Sequence, residues 1–208
     1  MDISFFVKGF ILGLSIAVPV GPIGTLVIRR TLAEGRTIGL VSGLGAATAD
    51  GIYGAIAGFG LTVISNLLVS QADWLKLIGG LFLFYLGAKI FLSKPATEAA
   101  PVTGKGLIGA YTSTLFLTLT NPTTILSFVV IFSAMGLNTA AANHDFGSAA
   151  LLVLGVPLGS ALWWFILSGS VSLFRSRFTP TTMQWVNRVA GVVIIGFGVL
   201  AIGSLLNR

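Results

Sequence analysis

Six long apolar runs separated by short polar connections constrain this chain more than any other feature of its sequence. Each run approaches or exceeds the ~20 residues that a helix needs to cross a ~30 Å hydrocarbon core. Only 9% of the residues are charged, against roughly 25% in soluble domains. We therefore predict an all-α integral membrane protein with six transmembrane helices, and we exclude a soluble globular domain. The runs cover residues 9–28, 37–64, 74–92, 107–136, 147–174 and 184–206.

Internal similarity divides the chain into two units of three helices each. Pro122 follows Pro22 by 122 − 22 = 100 residues, and three residues of the third run recur in the sixth at an offset of 111. An odd number of spans in the first unit makes the second enter the membrane from the opposite side. We predict one membrane domain, residues 1–208, built as an inverted repeat: unit one about 1–92, a cytoplasmic linker 93–106, and unit two about 107–208. The recurring residues are Trp74, Gly80 and Gly87, matched by Trp185, Gly191 and Gly198.

The first and fourth runs are each interrupted by proline at a position where a membrane helix should be continuous. Pro19, Gly21, Pro22 and Gly24 stand within six residues of the first run, and Asn121-Pro122 stands within the fourth. Proline removes a backbone hydrogen bond, and lipid tolerates the freed groups only where protein or a water-filled cavity satisfies them. In inverted-repeat transporters such broken helices meet near the midplane and form the substrate site. The alternative is that both prolines only kink structural helices.

Asp50 is the one acidic residue of the sequence that falls inside an apolar run. It lies about 20 Å along the second helix at 1.5 Å per residue, near the bilayer centre. An ionisable group at that depth costs at least ~2.5 kcal/mol and indicates a functional role. Asp50 could bind the ammonium of an amino acid or carry a proton through a transport cycle. It could also be a protonated residue that hydrogen-bonds a neighbouring helix.

Polar residues around Asn121 and a pair of tryptophans complete the candidate site. Thr120, Thr123, Thr124 and Ser127 surround the second break, where hydroxyls serve either as ligands or as contacts between helices. The helix that starts at Gly21 or Pro22 would offer free N–H groups to a carboxylate. Trp163 lies far enough from the ends of its run to wall a cavity. The predicted substrate-binding residues are Pro19, Gly21, Pro22, Gly24, Asp50, Asn121, Pro122, Thr123, Ser127 and Trp163, with Asp50 also the candidate for proton coupling.

Charge and composition indicate the orientation and exclude several classes of site. Nine of the twelve basic residues fall in odd-numbered connections, which places those connections in the cytoplasm and both termini outside. The absence of cysteine excludes disulfides and thiolate sites. One histidine and scattered carboxylates give no metal-ligand spacing, and nothing matches a phosphate loop or a nucleic-acid module. We expect no cofactor or metal, the lipid bilayer as surroundings, and packing faces that would also suit a homodimer.

The order of these elements resembles the lysine exporter (LysE/RhtB-type) family of amino-acid exporters. The resemblance rests on Gly21-Pro22 followed by Leu26 to Arg30, then Asp50, Leu119 to Pro122, Ser160 to Trp164, and Trp185 to Asn187. It implies a bacterial inner-membrane protein that exports amino acids with the proton gradient, and it carries over to Gly21, Pro22, Asp50, Asn121 and Pro122. Two positions depart from the family pattern. Ile23 and Gly24 stand where members commonly have Asn, and Ser127 stands where exporters of basic amino acids have Asp.

Together these features predict a secondary active exporter of amino acids, neutral or small and zwitterionic, driven by the proton gradient. Ser127 in place of a carboxylate makes a dibasic substrate the less favoured one. The alternatives are an exporter of a cation or another small solute, and a non-transporting membrane assembly partner. An enzyme would need a converging acid, base or nucleophile, which a single buried Asp beside hydroxyls does not supply.

Overall fold

The computed structural model describes residues 3–19, 21–59, 70–93, 104–121, 124–125, 127–128, 146–177 and 179–206. Within these ranges the chain is helical and contains no β-strand. A 3₁₀ turn, Arg175–Arg177, follows the sixth helix. The helices are α1 (Ser4–Ala17), α2 (Pro22–Glu34), α3 (Arg36–Gly58), α4 (Ala72–Phe91), α5 (Gly104–Leu119), α6 (Phe146–Leu173) and α7 (Pro180–Leu206).

Four of these helices are long and apolar enough to cross a membrane, namely α3, α4, α6 with its 3₁₀ turn, and α7. The pair α1 and α2 makes a fifth candidate span, bent by 77° at its break. These helices match the predicted first, second, third, fifth and sixth runs. α5 covers the first part of the fourth run, and residues 122–123, 126 and 129–136 of that run lie outside the described residues. Residues 94–103 of the predicted linker 93–106 also lie outside them.

The predicted interruption of the first run is present between α1 and α2. α1 ends at Ala17, and α2 begins with Pro22 in its first turn. The end of α2 differs from the sequence prediction. α2 continues to Glu34 and includes Arg29 and Arg30, which the sequence assigned to a polar connection. The reversal into α3 takes place at Gly35, whose φ of 104° is a conformation that side chains rarely adopt.

Small residues bring most of the helices into close contact. Gly9 and Gly13 of α1 lie against the backbone of Leu152 and Val156 in α6, so these two helices run parallel. In α3, Gly43 lies against Trp164 and Gly54 against Val156, so α3 and α6 run antiparallel. Such close approach gives membrane helices their packing contacts in the absence of a hydrophobic driving force.

The contact between α4 and α7 is made by two pairs of glycines. Gly80 lies against the Gly198 carbonyl and Gly87 against the Gly191 carbonyl, in an antiparallel arrangement. These are the residues that the sequence matched at an offset of 111. α3 runs parallel to α5, since Gly45 lies against Tyr111 while Tyr53, further along α3, bonds Leu119.

The outer surface is apolar over much of its area. Large hydrophobic side chains are exposed along α4, α6 and α7, as a membrane-spanning bundle requires of its lipid-facing side. Trp74 and Trp185, near the starts of α4 and α7, are 64% and 61% exposed, which is typical of interfacial anchors. The structure thus supports a multi-pass membrane protein.

Candidate functional site

A cavity of about 570 Å³ lies where the two interrupted segments face α3, α4, α6 and α7. Its wall includes residues from the α1–α2 break, from the end of α5 and the segment after it, and from the middle of α3. Most of the remaining lining is apolar, for example Leu83, Leu117, Trp164 and Phe197. Its size and its few polar groups are typical of a site for a small molecule.

The α1–α2 break supplies one side of the cavity. Pro19, Gly21, Pro22, Ile23 and Gly24 all line it. Proline at the start of α2 lacks an N–H, and the first N–H groups of any helix have no partner inside the helix. The Gly21 carbonyl accepts from both the backbone N–H and the hydroxyl of Thr25, each at 3.0 Å. This segment therefore offers backbone groups to the cavity rather than polar side chains.

Asp50 is 3% exposed and lies on the cavity wall in the middle of α3. Its Oδ2 accepts a 2.7 Å hydrogen bond from the Ser160 hydroxyl of α6. The Ser160 oxygen in turn accepts a 3.1 Å hydrogen bond from Trp164 Nε1. Within the described part of the chain, Asp50 forms no ion pair with a basic side chain. A buried carboxylate without a cationic partner is costly, so its charge is available to a proton or to a cationic group of a ligand.

The second interrupted segment supplies a further part of the cavity wall. Thr120, Asn121, Thr124 and Ser127 line it. The helix restarts after the break, because the N–H groups of Thr124 and Ile125 both bond the Asn121 carbonyl. The Tyr53 hydroxyl of α3 bonds the Leu119 carbonyl at 2.5 Å and so satisfies one backbone group near the break.

The cavity therefore brings together seven of the predicted site residues. Two others, Pro122 and Thr123, lie outside the described residues. The tryptophan that lines the cavity is Trp164, whereas Trp163 packs against the apolar cluster around Leu26 and Val27. The seven are Pro19, Gly21, Pro22, Gly24, Asp50, Asn121 and Ser127.

Sequence reasoning missed Lys76, which it counted only among the external charges. Lys76 lines the same cavity as Asp50, and its side chain is 16% exposed. Among the lining residues that the structure describes, these two are the ionisable ones. Its position in the sequence could have indicated that Lys76 lies inside the membrane domain, since it falls just inside the third apolar run, two residues after Trp74.

Arg30 is a second buried cation that the sequence did not reveal. Its guanidinium is held by neutral oxygens of α3 and α5 at 2.8–3.1 Å. The residue is 8% exposed, and within the described ranges it forms no ion pair. These hydrogen bonds tie α2 to α3 and α5. They lie on the side of Asp50 that faces away from the two helix breaks. The acceptors are the hydroxyls of Ser42, Ser113 and Thr114 and the Ala110 carbonyl.

Nothing in the described part of the chain resembles a metal centre, because no three His, Asp or Glu side chains converge there. The site instead combines a buried carboxylate, a lysine, exposed backbone groups and a mainly apolar wall. Such an arrangement can bind a small molecule that carries both charges, and it contains no set of residues for covalent chemistry.

Comparison with known proteins assigns the chain to a family. Residues 14–204 match the LysE type translocator family. The chain belongs to this family. It is therefore a transporter rather than an enzyme, and the Gly21-Pro22 and Asn121 elements that carry the resemblance in the sequence both line the cavity of this LysE type translocator.

Two curated relatives illustrate the similarity. A Bacillus subtilis (strain 168) protein named "Putative amino acid efflux protein YcgF" is 27% identical over 198 residues, covering 94% of this chain and 93% of the relative. An Escherichia coli (strain K12) protein named "Uncharacterized membrane protein YahN" is 28% identical over 174 residues, covering 81% of this chain and 76% of the relative. No solved structure matches the chain.

Proposed function

We propose that this LysE type translocator is a secondary active exporter of a neutral amino acid or a similar small zwitterion, driven by the proton gradient across the bacterial inner membrane. The observation that carries the proposal is the position of Asp50, a buried carboxylate without a basic partner in the described structure, in a cavity shared by two interrupted helices. The B. subtilis relative, whose name mentions amino acid efflux, supports the substrate class.

In the proposed cycle, Asp50 binds either the ammonium of the substrate or a proton. Both neutralise the same carboxylate, so they exclude one another. Substrate released outside would be replaced by a proton, and the protonated form would return the empty site to the cytoplasmic side. Mutually exclusive binding of this kind couples export of one substrate to entry of one proton, since an unpaired carboxylate at the midplane is costly to reorient.

Helix packing supports the inverted repeat that such a cycle uses. Exchanging the two units turns α1 into α5, α3 into α6 and α4 into α7. Under this exchange the parallel contact between α1 and α6 becomes the parallel contact between α5 and α3, which is observed. The antiparallel contacts of α3 with α6 and of α4 with α7 map onto themselves. Even the Gly80–Gly198 pair maps onto Gly191–Gly87, as a two-fold axis requires of a self-complementary contact.

The chemistry of the cavity supports a neutral substrate. Asp50 would take the ammonium, and the N–H groups at the start of α2 would face the carboxylate. The lining contains Ser127 at the position where a carboxylate would suit a second amino group. Leu83, Leu117 and Phe197 give the rest of the molecule an apolar surface.

An efflux screen tests the proposal. Cells that express the protein are loaded with labelled amino acids, and release is followed with and without an uncoupler. We expect one or a few neutral amino acids to leave faster than from cells with the empty vector, and the difference to vanish with the uncoupler. Release of none, from cells in which the protein is correctly inserted, would contradict the proposal and favour a non-transporting assembly partner. Uncoupler-resistant release would contradict the proton coupling alone.

A further inference from the structure

We infer that Lys76 recognises the carboxylate of the transported molecule, so that a free carboxylate is a condition for transport. This inference rests on the proposed function, because it names the chemical group by which the same cavity selects its substrate. It adds the ammonium of Lys76 on α4 to the N–H groups at the start of α2 as a partner of that carboxylate.

Lys76 is much more buried than Lys89, the other lysine of α4. Its side chain is 16% exposed and lines the cavity, whereas Lys89, nearer the other end of α4, is exposed. A partly buried ammonium has lost much of its hydration, and that loss must be offset by an anion or by hydrogen bonds. The other lining residues that α4 itself contributes are apolar, namely Gly79, Gly80 and Leu83.

Asp73 compensates the Lys76 charge only in part. The Lys76 Nζ lies 3.5 Å from Asp73 Oδ1, which is longer than the 2.7–2.9 Å of a charge-assisted hydrogen bond. The Asp73 side chain is 48% exposed, so solvent screens the pair. An ammonium has three N–H donors, and Lys76 can therefore bind a further carboxylate without first losing Asp73.

Asp50 and Lys76 give the cavity two opposite charges on separate elements. Asp50 stands on α3, which packs against α5 and α6, and Lys76 stands on α4, which packs against α7. The cavity lies between these groups of helices. A zwitterion can satisfy both charges at once. An amine or an amino-acid amide satisfies Asp50 but leaves Lys76 facing a neutral or cationic group, which weakens binding.

The competing interpretation is that Lys76 and Asp73 form an ion pair that only stabilises the start of α4. The two interpretations differ in what removal of Asp73 does. If the ion pair is the whole role, Asp73→Asn reproduces the effect of Lys76→Gln. If Lys76 binds the substrate carboxylate, Asp73→Asn leaves substrate selection in place.

The test uses the purified full-length protein in proteoliposomes, with each neutral proteinogenic L-amino acid and its amide as labelled probes. We expect the wild-type protein to prefer the acid to the amide. Lys76→Gln should raise the KM of the acid about tenfold or more, equivalent to about 1.4 kcal/mol or more, because the neutral side-chain amide no longer pairs with the carboxylate, while the KM of the amide probe stays unchanged. Lys89→Gln, the matched control on α4, and Asp73→Asn should both retain the preference for the acid.

Three results would overturn the inference. The first is an unchanged preference for the acid in Lys76→Gln, and the second is loss of that preference in Asp73→Asn. The third concerns Lys76→Arg, which guards against misfolding because it keeps the positive charge and should keep the preference for the acid. Loss of that preference in a monodisperse Lys76→Arg protein is evidence against carboxylate recognition. If the wild-type protein in proteoliposomes transports no amino acid at all, that result would instead contradict the proposed function.

Discussion

The Ser160 hydroxyl of α6 donates a 2.7 Å hydrogen bond to the Asp50 carboxylate of α3. Trp164, one turn further along α6, donates to the same serine oxygen, with its Nε1 3.1 Å away. An ionised carboxylate can only accept, so the single proton of Ser160 points to Asp50 while its oxygen accepts from the indole N–H. The chain from Trp164 through Ser160 to Asp50 thus holds the carboxylate on the cavity wall.

Ser160→Ala should impair transport without unfolding the protein. The substitution removes a hydrogen bond to a charged group, about 1.5–3 kcal/mol, and we expect the transport rate at limiting substrate to fall about tenfold or more. Ser168→Ala is the matched control, because Ser168 is equally buried on α6 but donates its hydroxyl proton to a backbone carbonyl of the same helix, that of Phe165. Initial rates in proteoliposomes measure both. Full activity of Ser160→Ala would show that the hydrogen bond is not needed.

Arg30 should be replaceable by an apolar residue more easily than by lysine. Lysine keeps the buried charge but cannot reach the acceptors that the planar guanidinium spans on α3 and α5. Methionine removes the charge altogether, and replacing buried ionic groups by apolar ones is often tolerated. We therefore expect the thermal stability in detergent to fall in the order wild type, Arg30→Met, Arg30→Lys.

The control for Arg30 is Arg188→Met, at an exposed position of α7. It should leave the midpoint of thermal unfolding within about 1 °C of wild type, as surface substitutions usually do. An Arg30→Lys protein as stable as wild type would contradict the argument that the fork of hydrogen bonds holds Arg30 in place.

The α4–α7 contact should not tolerate a methyl group at its glycines. A Cβ at Gly87 would lie 2.9 Å from the Gly191 carbonyl, and one at Gly191 would lie 2.8 Å from the Gly87 carbonyl. Each alanine substitution should therefore lower the melting temperature in detergent and the yield of monodisperse protein. Gly196→Ala on α7 has open space around it and should be neutral or slightly stabilising, since alanine favours helix by about 1 kcal/mol. Equal stability of all three variants would refute the close contact.

The orientation can be measured directly because the chain has no cysteine. Gln71 precedes α4 and Ser176 follows α6, and both are exposed. With odd-numbered connections in the cytoplasm, a membrane-impermeant maleimide should label Gln71→Cys in intact cells and label Ser176→Cys only after the membrane is opened. The reverse pattern would place both termini inside.

The fold class could be predicted from the sequence because run length and the scarcity of charge depend on the bilayer rather than on detailed contacts. The break between α1 and α2 was predictable for a similar reason, since proline disrupts a helix whatever surrounds it. The extent of α2 was not. Arg29-Arg30 after an apolar run is typical of a membrane boundary, and the hydroxyls that bury Arg30 belong to residues 12 to 84 positions away.

The faces of the helices could not be predicted, and this explains why the sequence selected Trp163 rather than Trp164 as a cavity residue. In a membrane bundle, lipid and protein interior are both apolar, so hydropathy does not show which side of a helix faces inward. Trp163 and Trp164 are neighbours in sequence, yet only Trp164 lines the cavity. Lys76 was counted among the external charges from its place near the start of the third run, which did not show that its side chain lines the cavity. Asp50 could be identified from the sequence because a carboxylate inside a span is costly whichever side of the helix it faces.

Proton-driven transport by the Asp50→Asn variant tests the central claim most directly. Purified protein is reconstituted in proteoliposomes, a pH gradient is imposed, and accumulation of the labelled amino acid identified in the efflux screen is followed. Asp73→Asn, which removes the half-exposed carboxylate at the start of α4, is the matched control. We predict that wild type and Asp73→Asn accumulate substrate against its gradient and that Asp50→Asn does not. Undiminished accumulation by Asp50→Asn would contradict the account.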